Sequence, residues 1–160
     1  LIRERKLKVL LQRVTGASVS IDGEVVGRIG QGLVAFIGVA EGDSETDIDY
    51  LVPKMTGLRI FADDEGRFNI SVADIGGELL LVSQFTLLAD TRKGKRPSFT
   101  RAASPERAEL LFEKFVEKTR ATGLKVETGR FQQYMQVEVH NDGPVTIMLD
   151  SRDRLRSRRE

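Results

Sequence analysis

The sequence predicts a single layered α/β domain. Its length of 160 residues, with 40% hydrophobic and 31% charged residues, suits one globular unit large enough for a real core. Short apolar or alternating runs bounded by Gly, Pro, Asn and Asp recur along the chain, which is the pattern of strands. Only two segments space their apolar residues as helices do. Two helices cannot enclose that many strands as a bundle, so they are expected to cover a sheet.

Residues 8–15, 17–21 and 25–29 read as short strands, with Asp22-Gly23 as the hairpin turn before the third. Residues 33–39 (Leu-Val-Ala-Phe-Ile-Gly-Val) are continuously apolar, as in a strand buried on both faces. A helix follows. Asp43 or Ser44 can cap it, and Ile48, Leu51, Val52 and Met55 recur at helical spacing toward Leu58. Pro53 lacks the N–H that a helix interior uses, so a kink or an early end is expected there. Residues 59–61 read as a strand and Asp63-Asp64-Glu65-Gly66 as its turn. Residues 78–85 contain Leu79-Leu80-Leu81-Val82 and end in Ser83-Gln84, a buried strand with a polar exit. A second helix is expected over 104–123, with Ser104 as N-cap, Pro105 at the first helical position and Gly123 just past the end. Ala108, Leu111, Phe112, Phe115 and Val116 form its apolar stripe. Strands at 125–128, 135–141 and 144–150 complete the set, and Gln136, Glu138 and His140 form the polar face of the middle one.

Composition narrows the chemistry. The sequence has no cysteine and one histidine, which excludes disulfides, cysteine nucleophiles, thiolate metal sites and a multi-histidine metal centre within one chain. No metal and no cofactor is expected. No apolar run reaches the length of a membrane span, and the charged opening is too short for a signal peptide core, so a cytoplasmic protein without membrane contact is expected. A net charge of +1 gives no global attraction to nucleic acid, which leaves local patches. One patch is Arg92, Lys93, Lys95 and Arg96, in a loop with Gly94 and Pro97. The other is the arginine-rich tail, which has no apolar face and is expected to fray in solvent.

Three segments could carry function. Ser83-Gln84-Phe85-Thr86 lies where a buried strand leaves the core, a common place for ligand contacts in α/β proteins. The basic loop just downstream could hold phosphates as point charges. Asn141-Asp142-Gly143-Pro144-Val145-Thr146 reads either as a hairpin turn or as a backbone device. Gly143 has no Cβ and Pro144 no N–H, so two carbonyls can stand free with little bulk around them. His140 is the one histidine available as a base for Ser83 or Thr86, but the strand alternation turns it toward solvent. No nucleophile elbow, Walker loop, dinucleotide fingerprint or zincin motif is present.

These segments resemble the D-aminoacyl-tRNA deacylase family. The likeness is carried by Ser83-Gln84-Phe85-Thr86-Leu87, by Arg92-Lys93-Gly94 and Arg96-Pro97-Ser98-Phe99, by Glu127-Thr128-Gly129-Arg130-Phe131, and by Asn141-Asp142-Gly143-Pro144-Val145-Thr146. Leu11-Gln12-Arg13-Val14 and Asp22-Gly23-Glu24-Val25-Val26-Gly27 add to it. The likeness covers residues 8–151, leaving 1–7 as an N-terminal extension and 152–160 as a basic tail. It departs at Gln132-Gln133-Tyr134, where the family has a small Gly-Ala-type segment before Met135.

The resemblance implies a three-layer α/β/β domain with mixed and antiparallel strands and two main helices. It implies a homodimer acting on the acceptor end of aminoacyl-tRNA, hydrolysing the ester of D-aminoacyl-tRNA and glycyl-tRNA. Ser83, Gln84, Phe85 and Thr86 would be catalytic. Gly143 and Pro144, joined by a cis bond and supported by Arg13, Val145, Thr146 and Met135, would select against L-amino acids in the partner's site. Arg92, Lys93, Lys95 and Arg96 would bind tRNA. The resemblance gives the adenosine 2′-hydroxyl a part in the attack and the amides near Phe85 and Thr86 the oxyanion. Two other readings remain open at this level: an esterase with Thr86 as nucleophile, and a non-catalytic RNA-binding module using the basic loop.

Overall fold

The computed structural model describes residues 6–156. They form one mixed α/β domain organised by its first strand. β1 (Lys8–Ile21) runs antiparallel to β8 (Gln136–Asp150) along one edge. On its other edge, residues 8–14 pair with β3 (Gly32–Gly38) and residues 17–21 with β2 (Glu24–Ile29). Parallel pairing continues the sheet from β3 to β6 (Glu78–Ser83) and from β6 to β7 (Lys125–Thr128). Parallel neighbours need crossover connections, and α1 (Glu45–Gly57) and α2 (Pro105–Arg120) supply them. A separate ribbon of β4 (Phe61–Ala62) and β5 (Phe68–Ile70) follows α1.

The continuous apolar runs of β3 and β6 are explained by two cores. Leu33, Ala35, Ile37, Leu79 and Leu81 face the helices and meet Ile48, Leu51 and Met55 of α1 and Leu111 and Phe115 of α2. The alternate residues Val34, Leu80 and Val82 form a second core with Val14, Ala17, Val19 and Ile29. A strand buried on both sides has no polar face, so its sequence shows no alternation. Two charged clamps join the helices: Lys114 pairs with Glu45, and Lys118 with Asp49. Ser104 caps α2 through its hydroxyl, which accepts from Arg107 N at 3.3 Å. Among the described residues, no helix is long and apolar enough to cross a membrane.

Five expectations need correction. The strands read at 8–15 and 17–21 are one continuous strand, β1. The early end offered for α1 at Pro53 does not occur; the helix continues to Gly57, because Ile48, Leu51 and Val52 before Pro53 and Met55 after it are all in the core, and that burial outweighs one absent hydrogen bond. The strands expected at 135–141 and 144–150 are one strand, since both halves pair antiparallel with β1 in the same direction; the hairpin reading of the segment between them is therefore wrong. Residues 151–155, part of the tail expected to fray, form a 3₁₀ turn. In it Ser151 is buried, and Arg154 Nε lies 3.6 Å from the buried Asp47 carboxylate. Lys6 and Leu7, assigned to an extension, are both buried. Residues 1–5 and 157–160 lie outside the described residues. β5 carries too short a run to be read from sequence.

Candidate active site

β6 ends at Ser83, and the chain turns at once into a 3₁₀ helix over Phe85–Leu88. Gln84 N donates to Ile37 O at 2.7 Å, holding the turn against the end of β3. Gly38 makes that approach possible: a Cβ there would lie 2.5 Å from Leu88 Cδ2 and 3.0 Å from Gln84 O. Gln84 Nε2 donates to Thr86 Oγ1. Phe85 is 55% exposed and meets Phe99 edge to face, with centroids 4.9 Å apart. Ser83, Gln84, Phe85 and Thr86 thus form one short polar ledge at the carboxyl ends of parallel strands, where open α/β sheets place ligands.

The basic loop grows from the same ledge. Asp90 and Ser98 exchange backbone hydrogen bonds of 2.7 and 2.9 Å and close its root. Arg92 is turned back onto that root: Nε and Nη2 donate to the two Asp90 carboxylate oxygens at 2.9 and 2.8 Å. These bonds, with one from the Arg92 amide, hold the Asp90 carboxyl well below the usual carboxylate range. Arg92 therefore serves the loop's shape, while Lys93, Lys95 and Arg96 project into solvent.

The Gly143-Pro144 segment is a bulge. In the pairing of β1 with β8, Gln12 faces Thr146 and Val14 faces Asn141, so 142–145 are looped out opposite Arg13 alone. The Gly143-Pro144 bond is cis. Both residues are exposed, yet the loop is braced on each side. Asn141 Oδ1 accepts from Val145 N at 3.0 Å, and Asn141 Nδ2 donates to Thr146 Oγ1 at 3.0 Å. Thr146 Oγ1 also accepts from Gln12 Nε2 at 3.2 Å. Arg13 donates from Nε to Asp142 O at 3.0 Å and from Nη1 to Ile60 O at 2.8 Å, and its Nε is 3.5 Å from the Asp142 carboxylate. Gly143 has φ +133, and a Cβ on it would lie 2.9 Å from Val145 Cγ2 and 3.1 Å from Arg13 Nη2. Only glycine fits.

One chain does not bring the two halves together. Arg13, Leu33 and Leu79 share one row across β1, β3 and β6, while Val9, Ile37 and Ser83 share another. The loop and the ledge are thus four residues apart along the strands and three strand spacings apart across them, which places them on the order of 20 Å apart. Met135, at the far end of β8, packs its sulfur against Gly129 beyond β7, and Arg130 N donates to it at 3.4 Å. Gln132, in the segment that departs from the family, has φ +62, a left-handed conformation that a glycine would adopt freely. Tyr134 beside it is 91% exposed. A cleft of about 590 Å³ next to this turn is lined by Asp22, Glu24 and Glu109 along with Arg130 and Phe131, and three carboxylates make it a poor place for phosphate. His140 is exposed on β8, 3.5 Å from the Glu138 carboxylate.

Comparison with known proteins decides the family. A family model described as D-Tyr-tRNA(Tyr) deacylase matches residues 10–150. The chain belongs to the D-aminoacyl-tRNA deacylase family. A D-aminoacyl-tRNA deacylase of Dehalococcoides mccartyi is 57% identical over 152 residues, covering 95% of this chain and 99% of the relative. One from Desulfitobacterium hafniense is 58% identical over 145 residues, covering 91% and 97%. A solved structure titled c-Myc DNA Unwinding Element Binding Protein superposes with a TM-score of 0.84 at 41% identity, over 89% of this chain and 97% of that one. A probable eukaryotic D-amino acid tRNA deacylase gives 0.79 at 19% identity, over 91% and 99%, and shares the fold. Relative to the family's motifs, sequence reasoning missed Gln12, Phe68 and Phe99. Gln12 and Phe99 lie within the quoted motifs but were given no role there, and Phe68 carried no signal beyond being apolar.

Proposed function

We propose that this deacylase cleaves the ester between a D-amino acid and the 3′-terminal adenosine of tRNA, releasing both as a chiral proofreading step in translation, and that a homodimer completes each site. The observation that carries the second part is the separation of the braced Gly143-Pro144 loop from the Ser83–Thr86 ledge within one chain. A loop held by so many bonds yet left exposed is suited to a neighbour's site. In that site the Gly143 and Pro144 carbonyls accept from the substrate's α-ammonium, leaving room for a D side chain and none for an L side chain. Selection by exclusion ignores side-chain identity and admits glycine, so glycyl-tRNA is also a substrate.

Water attacks the ester carbonyl carbon, backbone amides near Phe85 and Thr86 stabilise the oxyanion, and the 3′-oxygen leaves with a proton. The adenosine 2′-hydroxyl assists in place of a protein base. This suits a chain whose one histidine is exposed on β8 beside Glu138; Thr86 Oγ1 accepts from Gln84 Nε2. Lys93, Lys95 and Arg96 contact the acceptor-stem phosphates, with Arg92 shaping their loop. The proposal includes a three-layer α/β/β arrangement and a cytoplasmic setting.

Mixed dimers test it. Gly143→Ala and Gln84→Ala chains, each inactive alone, should regain about a quarter of wild-type activity when subunits exchange, because one site in each heterodimer is intact. No recovery despite exchange would sink the cross-subunit site. A substrate ending in 2′-deoxyadenosine should resist cleavage if the 2′-hydroxyl assists.

A further inference from the structure

The β4–β5 ribbon stands outside the main sheet, and its Phe68 ring is 55% exposed and absent from both cores. An exposed phenyl ring on a short ribbon contributes little to burial, so its placement needs another account. The Arg13 guanidinium lies over this ring, its carbon 5.4 Å from the centroid, within the range of a cation–π contact. The edge of the same guanidinium donates to Asp142 O and Ile60 O. Its face is thus set by Phe68 and its edge by two carbonyls. Ile60 directly precedes β4, so one ribbon supplies both an acceptor and a ring to Arg13.

Two acceptors do not fix the guanidinium alone, because the Asp142 carboxylate is 3.5 Å from Nε and competes for it. Rotation toward that carboxylate would release Ile60 O and move Nη2 relative to Gly143. The ring opposes the rotation by holding the plane. We propose that Phe68 is a positioning residue for chiral selection: by fixing the plane of Arg13 it keeps the Gly143-Pro144 carbonyls where they exclude an L side chain. The proposal rests on the reading of that loop as the stereochemical filter.

The experiment compares Phe68→Ala, Phe68→Tyr and Arg13→Ala in the full-length dimer, with kcat/KM on D-tyrosyl-, L-tyrosyl- and glycyl-tRNA and a melting temperature for each. Phe68→Ala is expected to raise cleavage of the L substrate relative to the D substrate by about three- to tenfold, with glycyl-tRNA turnover and melting temperature little changed. Phe68→Tyr keeps the ring and should keep the wild-type ratio. If Arg13→Ala relaxes the D over L ratio and Phe68→Ala does not, Phe68 has no positioning role and the filter reading stands. If Phe68→Ala lowers all three rates in step with melting temperature, its role is structural and the proposal is overturned. If neither substitution changes the ratio, the filter reading fails and the proposal with it.

Discussion

The loop at Gly143-Pro144 and the loop at 92–96 are both exposed and both contain glycine and proline, but they are held differently. Gln12, Arg13, Asn141 and Thr146 brace the first along its whole length. The second is closed at its root by the Asp90–Ser98 exchange and by Arg92 on Asp90, beyond which the lysines extend freely. The contrast matches the two tasks proposed for these loops. Telling D from L depends on placing carbonyls to within a fraction of an ångström, whereas phosphate can be met by a mobile point charge.

The largest effect should come from adding one carbon to the braced loop. Gly143→Ala introduces a Cβ at φ +133, with Val145 Cγ2 at 2.9 Å and Arg13 Nη2 at 3.1 Å. Displacing the carbonyls by about an ångström should lower kcat/KM on D-aminoacyl-tRNA by roughly a hundredfold, with the secondary structure intact by circular dichroism. If activity were kept, the loop would not be a positioning device.

A smaller and differently shaped effect is expected at the other loop. Lys93→Ala with Lys95→Ala should weaken D-aminoacyl-tRNA and glycyl-tRNA alike. Binding titrations at several salt concentrations should show a log–log slope reduced by about 0.7–0.9 per lost phosphate contact. The D over L ratio should not move. Unchanged binding would make this loop a solvated turn, and new cleavage of L-aminoacyl-tRNA would erase the division of labour between the loops.

The smallest effect on catalysis should come from a buried carboxylate in the turn before α1. Burial pushes Asp43 up from 3.8 to about 7, with Asp47 adding to the rise, while the Ala40 amide and Lys6 oppose it. The Arg107 guanidinium also packs against this turn, donating to Asp43 O. The folded state therefore keeps a proton that the unfolded chain gives up above about pH 4. Stability should fall as pH rises from about 4 to 7 and level off above. Asp43→Asn keeps the acceptor for Ala40 N and removes the titration. Melting curves should show the wild type losing of order 1–3 kcal/mol between pH 5 and 8 and the variant losing little, with deacylation rates unaffected. Parallel slopes in the two proteins would assign the pH dependence to another group.

The same contrast explains what could be read from sequence. Strands β3 and β6 were legible because burial on both faces leaves an uninterrupted apolar run, and α2 because Ser104, Pro105 and its stripe agree. The 142–145 bulge was not legible as a bulge: Asp-Gly before Pro is also a good hairpin turn, and only pairing with β1, more than a hundred residues away in sequence, separates the two. Pro53 misled because its local cost is fixed by chemistry, while the burial that overrides it is tertiary. The basic loop was found by charge, but the diversion of Arg92 to Asp90 depends on a turn geometry that charge does not encode. Phe68 was invisible, since its contact is with an arginine on a distant strand.

The central claim is that stereochemistry is filtered by exclusion at the braced loop, and matched kcat/KM values on D-tyrosyl-, L-tyrosyl- and glycyl-tRNA test it most directly. The D and glycyl substrates should both be cleaved, and the L substrate should be refused even at enzyme concentrations that exhaust the others. Cleavage of the L substrate at a rate comparable to the D substrate, or refusal of glycyl-tRNA together with it, would contradict the account.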